Sequence, residues 1–256
     1  MKCLLLGAGY ATRLYPLTQE CPKPLLPVGG IPILERILEK VAAAKAVDRA
    51  YVVTNHRFSA QYDHWLQGFR KPAFQVEIID DQTTSNADRL GAIGDIDFVM
   101  RSAGIEDDLL VIAGDNLFDF PLEDFLAFAL QKRAAIALYD VKDLRLASLY
   151  GIVTTAEDGR VTGFEEKPPA PKATLACLAV YFFGREYLPR IRQYLEAGGK
   201  KDALGHYIEW FHQQVPLFGW LIPGSWYDIG DLDSYQKANE RYTGKENSSE
   251  RQRRAL

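Results

Sequence analysis

Thiols and imidazoles are scarce in this chain, which has three cysteines and four histidines among 256 residues. Cys3, Cys21 and Cys177 are scattered and form no C-x-x-C pair, which argues against a disulfide framework or a zinc site and for a reducing compartment. Cys3 and Cys177 lie in apolar runs and read as small core residues. Cys21 lies near Lys23, where a thiol reagent could block a site, but nothing marks it as a nucleophile. His56, His64, His206 and His212 show no metal-ligand spacing, so solvated or hydrogen-bonded roles are expected. No apolar run is long enough to span a bilayer and no signal peptide is recognisable, so a soluble, cytoplasmic protein is expected. Positive charge is not in surplus either. A net charge of −4 argues against a generic binder of nucleic acid or anionic membrane, and phosphate work must fall to local cations.

What is present is the composition of a globular α/β chain. With 47% apolar and 25% charged residues, it can bury a large core, and one domain is expected rather than two small ones. The run Met1-Lys2-Cys3-Leu4-Leu5-Leu6 reads as a buried strand of a parallel sheet. It leads into Gly7-Ala8-Gly9-Tyr10-Ala11-Thr12-Arg13-Leu14 and then Pro22-Lys23-Pro24-Leu25-Leu26-Pro27-Val28. Gly7, Ala8 and Gly9 leave the backbone bare, so its N–H groups can approach a phosphate closely, and Arg13 and Lys23 can add full charges. That combination suits a triphosphate, although a Gly-x-Gly alone is equally a tight structural turn. A dinucleotide fingerprint fits poorly: Thr12 stands where its third glycine belongs, and a Pro-rich stretch follows where a helix should start.

Further along, residues 32–46 place Leu34, Ile37, Leu38 and Val41 on one helical face. Strands are expected at 51–54 and 74–79 with a short helix at 59–66 between them. This βαβ rhythm calls for right-handed crossovers and a mainly parallel sheet. Residues 80–95 are polar, then glycine-marked, then become a helix carrying Ile93, Ile96 and Val99. Residues 109–116 read as the most buried strand. Asp115 near its end falls where open α/β sheets hold their ligands, so a metal site is the economical reading and a helix N-cap the alternative. A helix at 122–132 and a strand at 135–141 follow. A hairpin of 150–154 and 160–164 turns at Glu157-Asp158-Gly159 and delivers Glu166-Lys167-Pro168. A strand at 175–183, helices at 186–195 and 202–214, and a last core strand at 217–222 complete the pattern. Asp231 and Asp233 then read as caps of a helix running to Tyr242. Residues 1–243 form the expected domain, and residues 244–256, charged and Ser-rich, an expected flexible tail.

These motifs resemble those of the nucleotide-sugar pyrophosphorylases (sugar-1-phosphate nucleotidylyltransferases, including glucose-1-phosphate thymidylyltransferases). That family writes its loop G-G-x-G-T-R-L-x-P-L-T, followed by P-K-P-L-L-P-V. Ala8 and Ala11 depart from the pattern, while Arg13 and Lys23 match it. Five separated motifs follow the family's order from Met1 to about Tyr242. The resemblance implies a Rossmann-like three-layer α/β/α sandwich with a mixed, mostly parallel central sheet. It implies that Leu90-Gly91-Ala92-Ile93-Gly94 matches L-G-T-A-G, with the Gly91 backbone approaching base and ribose. Asn86 stands about where relatives place a base-reading amide, and a loop or N-cap amide is the other reading. By the same resemblance Asp115 and Asp228, the latter in W-x-D-x-G, hold Mg²⁺. Gly151 lies under the sugar, Glu166 takes a sugar hydroxyl and Lys167 the sugar phosphate. Ala173-Thr174 replaces a frequent Ser-Asn. No hexapeptide repeat follows, so the β-helix of some relatives is not expected.

The activity so implied is attack by a sugar 1-phosphate on the α-phosphorus of a nucleoside triphosphate, dTTP or UTP favoured, with Mg²⁺ and loss of pyrophosphate. Arg13 would steady the leaving phosphates and Lys23 neutralise the reacting ones. A cytidylyltransferase acting on phosphocholine or another alcohol phosphate is the nearest rival, and Tyr150-Gly151 with Glu166-Lys167-Pro168 stand against it. A non-catalytic nucleotide-sensing subunit of the same fold would lack site charges, yet Arg13, Lys23, Asp115, Lys167 and Asp228 are all present. The expected partners are the two substrates, with no nucleic acid and no membrane. Such folds are often homo-oligomers, and no surface stripe in the sequence counts subunits.

Overall fold

Strand β1 (Lys2–Leu6) lies in the middle of the molecule because both of its faces are apolar. In the computed structural model, which describes residues 1–69 and 74–253, Cys3 and Leu5 point into one core and Leu4 into another across the sheet. The same alternation holds in β4 (Arg49–Thr54), where Ala50 and Val52 oppose Tyr51 and Val53, and in β6 (Leu109–Ala113). Two buried faces per strand require helices on both sides of the sheet.

In chain order, β1 is followed by a two-strand ribbon of β2 (Pro27–Val28) and β3 (Ile31–Pro32), then α1 (Ile33–Ala43), β4, α2 (Ser59–Gly68) and β5 (Gln75–Asp80). Next come α3 (Gly91–Ser102), β6, β7 (Asn116–Phe118), α4 (Leu122–Lys132), β8 (Ala134–Asp140) and the short α5 (Leu144–Ala147). The hairpin β9 (Gly151–Thr155) and β10 (Val161–Glu166) leads to β11 (Leu175–Phe183), α6 (Pro189–Glu196), α7 (Leu204–Phe211), β12 (Phe218–Leu221), β13 (Trp226–Asp228) and α8 (Leu232–Arg253). Helices α1, α2, α4 and α8 cover one face and α3, α6 and α7 the other, so the three layers are those expected.

The main sheet runs β10-β9-β11-β6-β1-β4-β5, with β8 and β12 joined to it through β11. Strands β6, β1, β4 and β5 are parallel neighbours, and the other half is tied in by antiparallel β11. Ala179, at φ 57°, marks a register shift in β11 between Cys177 and Tyr181. Past this bulge the strand pairs with β6, and before it with β9.

Three expectations are adjusted. The strand expected over 109–116 stops at Ala113; Gly114 and Asp115 turn, and β7 leaves the sheet to pair with β13. The expected last core strand is β12, which pairs with β8 and leaves Leu221 57% exposed. The helix expected to end at Tyr242 continues to Arg253, across most of the expected tail, and residues 254–256 lie outside those described.

Candidate active site

A cleft of about 460 Å³ opens at the carboxyl ends of β1 and β6, and every candidate site residue named from the sequence lines it. Its floor is where two neighbouring chain segments leave the sheet together. Leu6 and Ala113 are paired, and Gly114 N–H donates to Leu6 O at 2.8 Å. A Cβ on Gly114 would lie 2.6 Å from that oxygen, so only glycine fits there.

The loop after β1 forms the first wall. Gly7 N–H donates to Val53 O at 2.9 Å, and a Cβ on Gly7 would come within 2.6 Å of the Tyr62 hydroxyl. Gly7 therefore shapes the loop, and the donors open to a ligand begin at Ala8 and Gly9. Asn55 Nδ2 fixes Ala8 O at 2.9 Å, and Thr18 Oγ1 fixes Ala11 O at 2.8 Å. Ala11 occupies the left-handed region at φ 46°, a conformation costly for any residue with a Cβ. Lys23 is buried at the start of a 3₁₀ turn and places Nζ 2.7 Å from Asp115 Oδ2.

Asp115 and Asp228 meet because β7 and β13 pair with Asp228 opposite Asn116, and Ile229 N–H donates to Asp115 O at 3.2 Å. Burial first, and the charge of Asp115 second, push the Asp228 carboxyl up to about 6, against the pull of Lys23, Arg13 and Lys167. Asn116 is buried and clamps the arrangement. Its Nδ2 donates to Leu178 O and, at 3.3 Å, to Ala179 O of the β11 bulge, while its Oδ1 accepts from Trp226 Nε1 at 3.0 Å.

The far lobe is built from β9, β10 and α7. Glu166 pairs in register with Gly151, where a Cβ would lie 2.4 Å from the Phe164 ring, so glycine lets the ring and carboxylate close up. The Glu166 carboxyl packs against Gly205 at the start of α7, and burial raises its pKa despite Lys167 and His206. Lys167, with φ 48° and its side chain 58% exposed, stands 3.9 Å from Glu166 Oε1. Its ammonium is exposed and lines the cleft.

The near lobe lies between the ends of β5 and α3. Gly91 starts α3 at φ 77°, and a Cβ there would lie 2.6 Å from Lys201 O. Asn86 is exposed on the rim, with its carbonyl accepting from Arg89 Nη1 at 2.7 Å. Asp81 and Asp95 are buried carboxyls here that sequence reading did not single out. Their only sequence signal was their position, one after a strand end and the other four residues beyond a helix-opening glycine. Among the described residues no three His, Cys, Asp or Glu side chains converge on a metal site, and no helix is long and apolar enough to cross a membrane.

The chain resembles known proteins over nearly its full length. It is 28% identical over 252 residues to the bifunctional protein GlmU of Methanocaldococcus jannaschii, covering 97% of this chain and 56% of that protein. It is 27% identical over 249 residues to a UTP–glucose-1-phosphate uridylyltransferase of Synechocystis, covering 93% of this chain and 62% of that protein. This chain thus spans little more than half the length of these curated relatives. A UDP-glucose pyrophosphorylase solved with UDP-glucose superimposes with a TM-score of 0.81 at 22% identity, covering 95% of this chain and 98% of that one. At that identity the likeness speaks for the fold. The nucleotidyl transferase family model matches residues 2–245, and on that match together with the fold and the cleft, this chain belongs to the nucleotidyl transferase family.

Proposed function

We propose that the cleft joins a nucleoside triphosphate to a sugar 1-phosphate and releases pyrophosphate. The observation that carries this reading is the convergence of Arg13, Lys23 and Lys167, from three separate segments, on one cleft that also holds Asp115 and Asp228. Two polyanions must be brought together, and charge grows on the leaving pyrophosphate, so fixed cations and positioning supply most of the catalysis. The open N–H groups of Ala8 and Gly9, with Arg13, suit the leaving phosphates. Lys23, held at the floor by Asp115, suits the reacting ones. Lys167 suits a single acceptor phosphate, and Glu166 a hydroxyl beside it.

Asp115 and Asp228 fit Mg²⁺, which is commonly held by one or two carboxylates plus substrate phosphates and water. Burial, and after it the charge of Asp115, hold the Asp228 pKa up even against the cations around it, and a further cation between the two carboxylates would relieve that repulsion. Mg²⁺ there would neutralise charge on the phosphates and polarise the α-phosphoryl oxygens. The resemblance favours dTTP or UTP as the nucleotide, and the uridylyltransferase relative is in keeping with a sugar 1-phosphate as acceptor.

The reading is tested by pyrophosphate release with Mg²⁺, each of ATP, CTP, GTP, UTP and dTTP being offered with glucose 1-phosphate and a panel of phosphorylated sugars and alcohols. Release with a sugar 1-phosphate is expected. Release with phosphocholine alone would move the protein to the cytidylyltransferase reading. Bound nucleotide without release across the panel would support a sensing role.

A further inference from the structure

The near lobe holds two carboxyl groups that the transfer reaction does not use. Asp81, directly after β5, is 4% exposed, and Asp95, in α3, is 6% exposed, yet both line the cleft. Asp81 Oδ1 accepts from the Thr83 N–H and hydroxyl, each at 2.7 Å. Asp81 Oδ2 and Asp95 Oδ1 have no donor partner among the described residues, and the two carboxyls can satisfy each other only through a shared proton. Two carboxylates this close in a poorly solvated wall do not both ionise. Burial first, and the charge of Asp81 second, push Asp95 up to about 8, and burial raises Asp81 as well, so the pair holds a proton at neutral pH. With that proton shared between the two carboxyls, the other Asp95 oxygen remains an acceptor.

This lobe is continuous with the phosphate loop. Tyr10, the residue after Gly9, donates its hydroxyl to Thr83 O at 3.4 Å. Asp81 N–H, in turn, is held by Thr54 O at 2.8 Å, next to the Asn55 that fixes Ala8. On the nucleotidyl-transfer reading, with Lys167 and Glu166 taking the acceptor in the opposite lobe, a triphosphate lying along the loop would put its base here. We propose that Asp95, held in place by Asp81, is the base-selecting residue of the cleft and favours nucleotides whose base carries an amino group over those of uracil and thymine. The proposal rests on the nucleotidyl-transfer reading and departs from its preference for dTTP or UTP. An acceptor takes a hydrogen bond from the amino group of cytosine, adenine or guanine. The imide N–H of uracil or thymine is flanked by two carbonyls, which an acceptor-only group repels, whereas an amide could both accept and donate there.

The test is equilibrium binding of CTP, ATP, GTP, UTP and dTTP to the wild-type protein, Asp95→Ala and Asp95→Asn, measured by calorimetry without acceptor. At least one amino-bearing nucleotide is expected to bind tenfold or more tightly than UTP and dTTP. Asp95→Ala is expected to shrink that ratio about tenfold, the worth of one hydrogen bond. Asp95→Asn is expected to keep it, because the amide donates to Asp81 and still turns an oxygen to the cleft. UTP or dTTP bound equally or more tightly, a ratio unchanged in Asp95→Ala, or no binding of any nucleotide would overturn the proposal. Binding is read without turnover, so selection of an amino base without pyrophosphate release would remove the catalytic reading alone. Pyrophosphate release with a uridine or thymidine preference would remove this inference alone.

Discussion

At the scale of single residues, the charges of the site are separable from the core. Asp228 lines the cleft, where burial and the charge of Asp115 oppose its ionisation, so replacing its charge should spare the fold. Asp228→Asn is expected to lower kcat by about 100-fold or more while melting no lower than the parent; parental turnover would refute its role with Mg²⁺. Lys167→Ala is expected to raise the KM for the sugar 1-phosphate by about tenfold or more with a smaller change for the nucleotide, and an unchanged acceptor KM would refute the phosphate role. These residues were legible through the resemblance of Trp226-Tyr227-Asp228-Ile229-Gly230 and Glu166-Lys167-Pro168 to the family's motifs. Asp81, Asp95 and Asn116 were not marked out by the sequence. Each draws its meaning from a partner distant along the chain or from burial, as when Asn116 reaches the bulge carbonyls of Leu178 and Ala179.

At the scale of elements, the site depends on how strands end. Helix α3 begins at a glycine whose positive φ and contact with Lys201 O leave no room for a side chain. Gly91→Ala is expected to cost about 1–3 kcal/mol in denaturant unfolding and to weaken nucleotide binding. A loss under a few tenths would mean that the loop at 201–202 simply moves aside. The β7–β13 pairing is held by Asn116, so Asn116→Ala leaves two carbonyls and the Trp226 N–H without their partner. A loss of about 2–4 kcal/mol is expected, together with a fall in kcat through displacement of Asp115 and Asp228. Unchanged kcat in a destabilised variant would confine Asn116 to folding. Periodicity revealed α4 and β11 with the right bounds, because long segments with one buried face or two are strongly patterned. It could not reveal that the apolar run at 109–116 breaks after Ala113, since Gly114 turns there to fit against Leu6 O, a neighbour over a hundred residues away in sequence.

At the scale of the whole molecule, the cleft trades stability for charge. The carboxyls of Asp228 and Asp95 are raised in the folded state, to about 6 and about 8 from an ordinary value of 3.8. A raised acid contributes stability that is full below the unfolded value and is lost as pH rises through the folded one. In the absence of metal and nucleotide, thermal stability attributable to these groups should therefore decline from about pH 4 to pH 8. Asp228→Asn removes part of that decline, so melting at pH 8 should show the variant more stable by about 1–2 kcal/mol, or a few degrees. Equal melting temperatures at pH 8 would mean that Asp228 is not strained by its neighbours. The three layers that carry this cleft were legible as a βαβ rhythm, whereas the β11 bulge that joins the two halves of the sheet, at Ala179, left no mark in the pattern.

The central claim, that the cleft transfers a nucleotidyl group to a phosphate acceptor, is tested most directly by following label from the nucleoside triphosphate in the presence of Mg²⁺ and a turned-over sugar 1-phosphate. With ³²P in the α position, the account predicts label in the sugar nucleotide; with ³²P in the γ position, it predicts label in pyrophosphate. Label from the γ position in the sugar product would show phosphoryl rather than nucleotidyl transfer and would contradict the account.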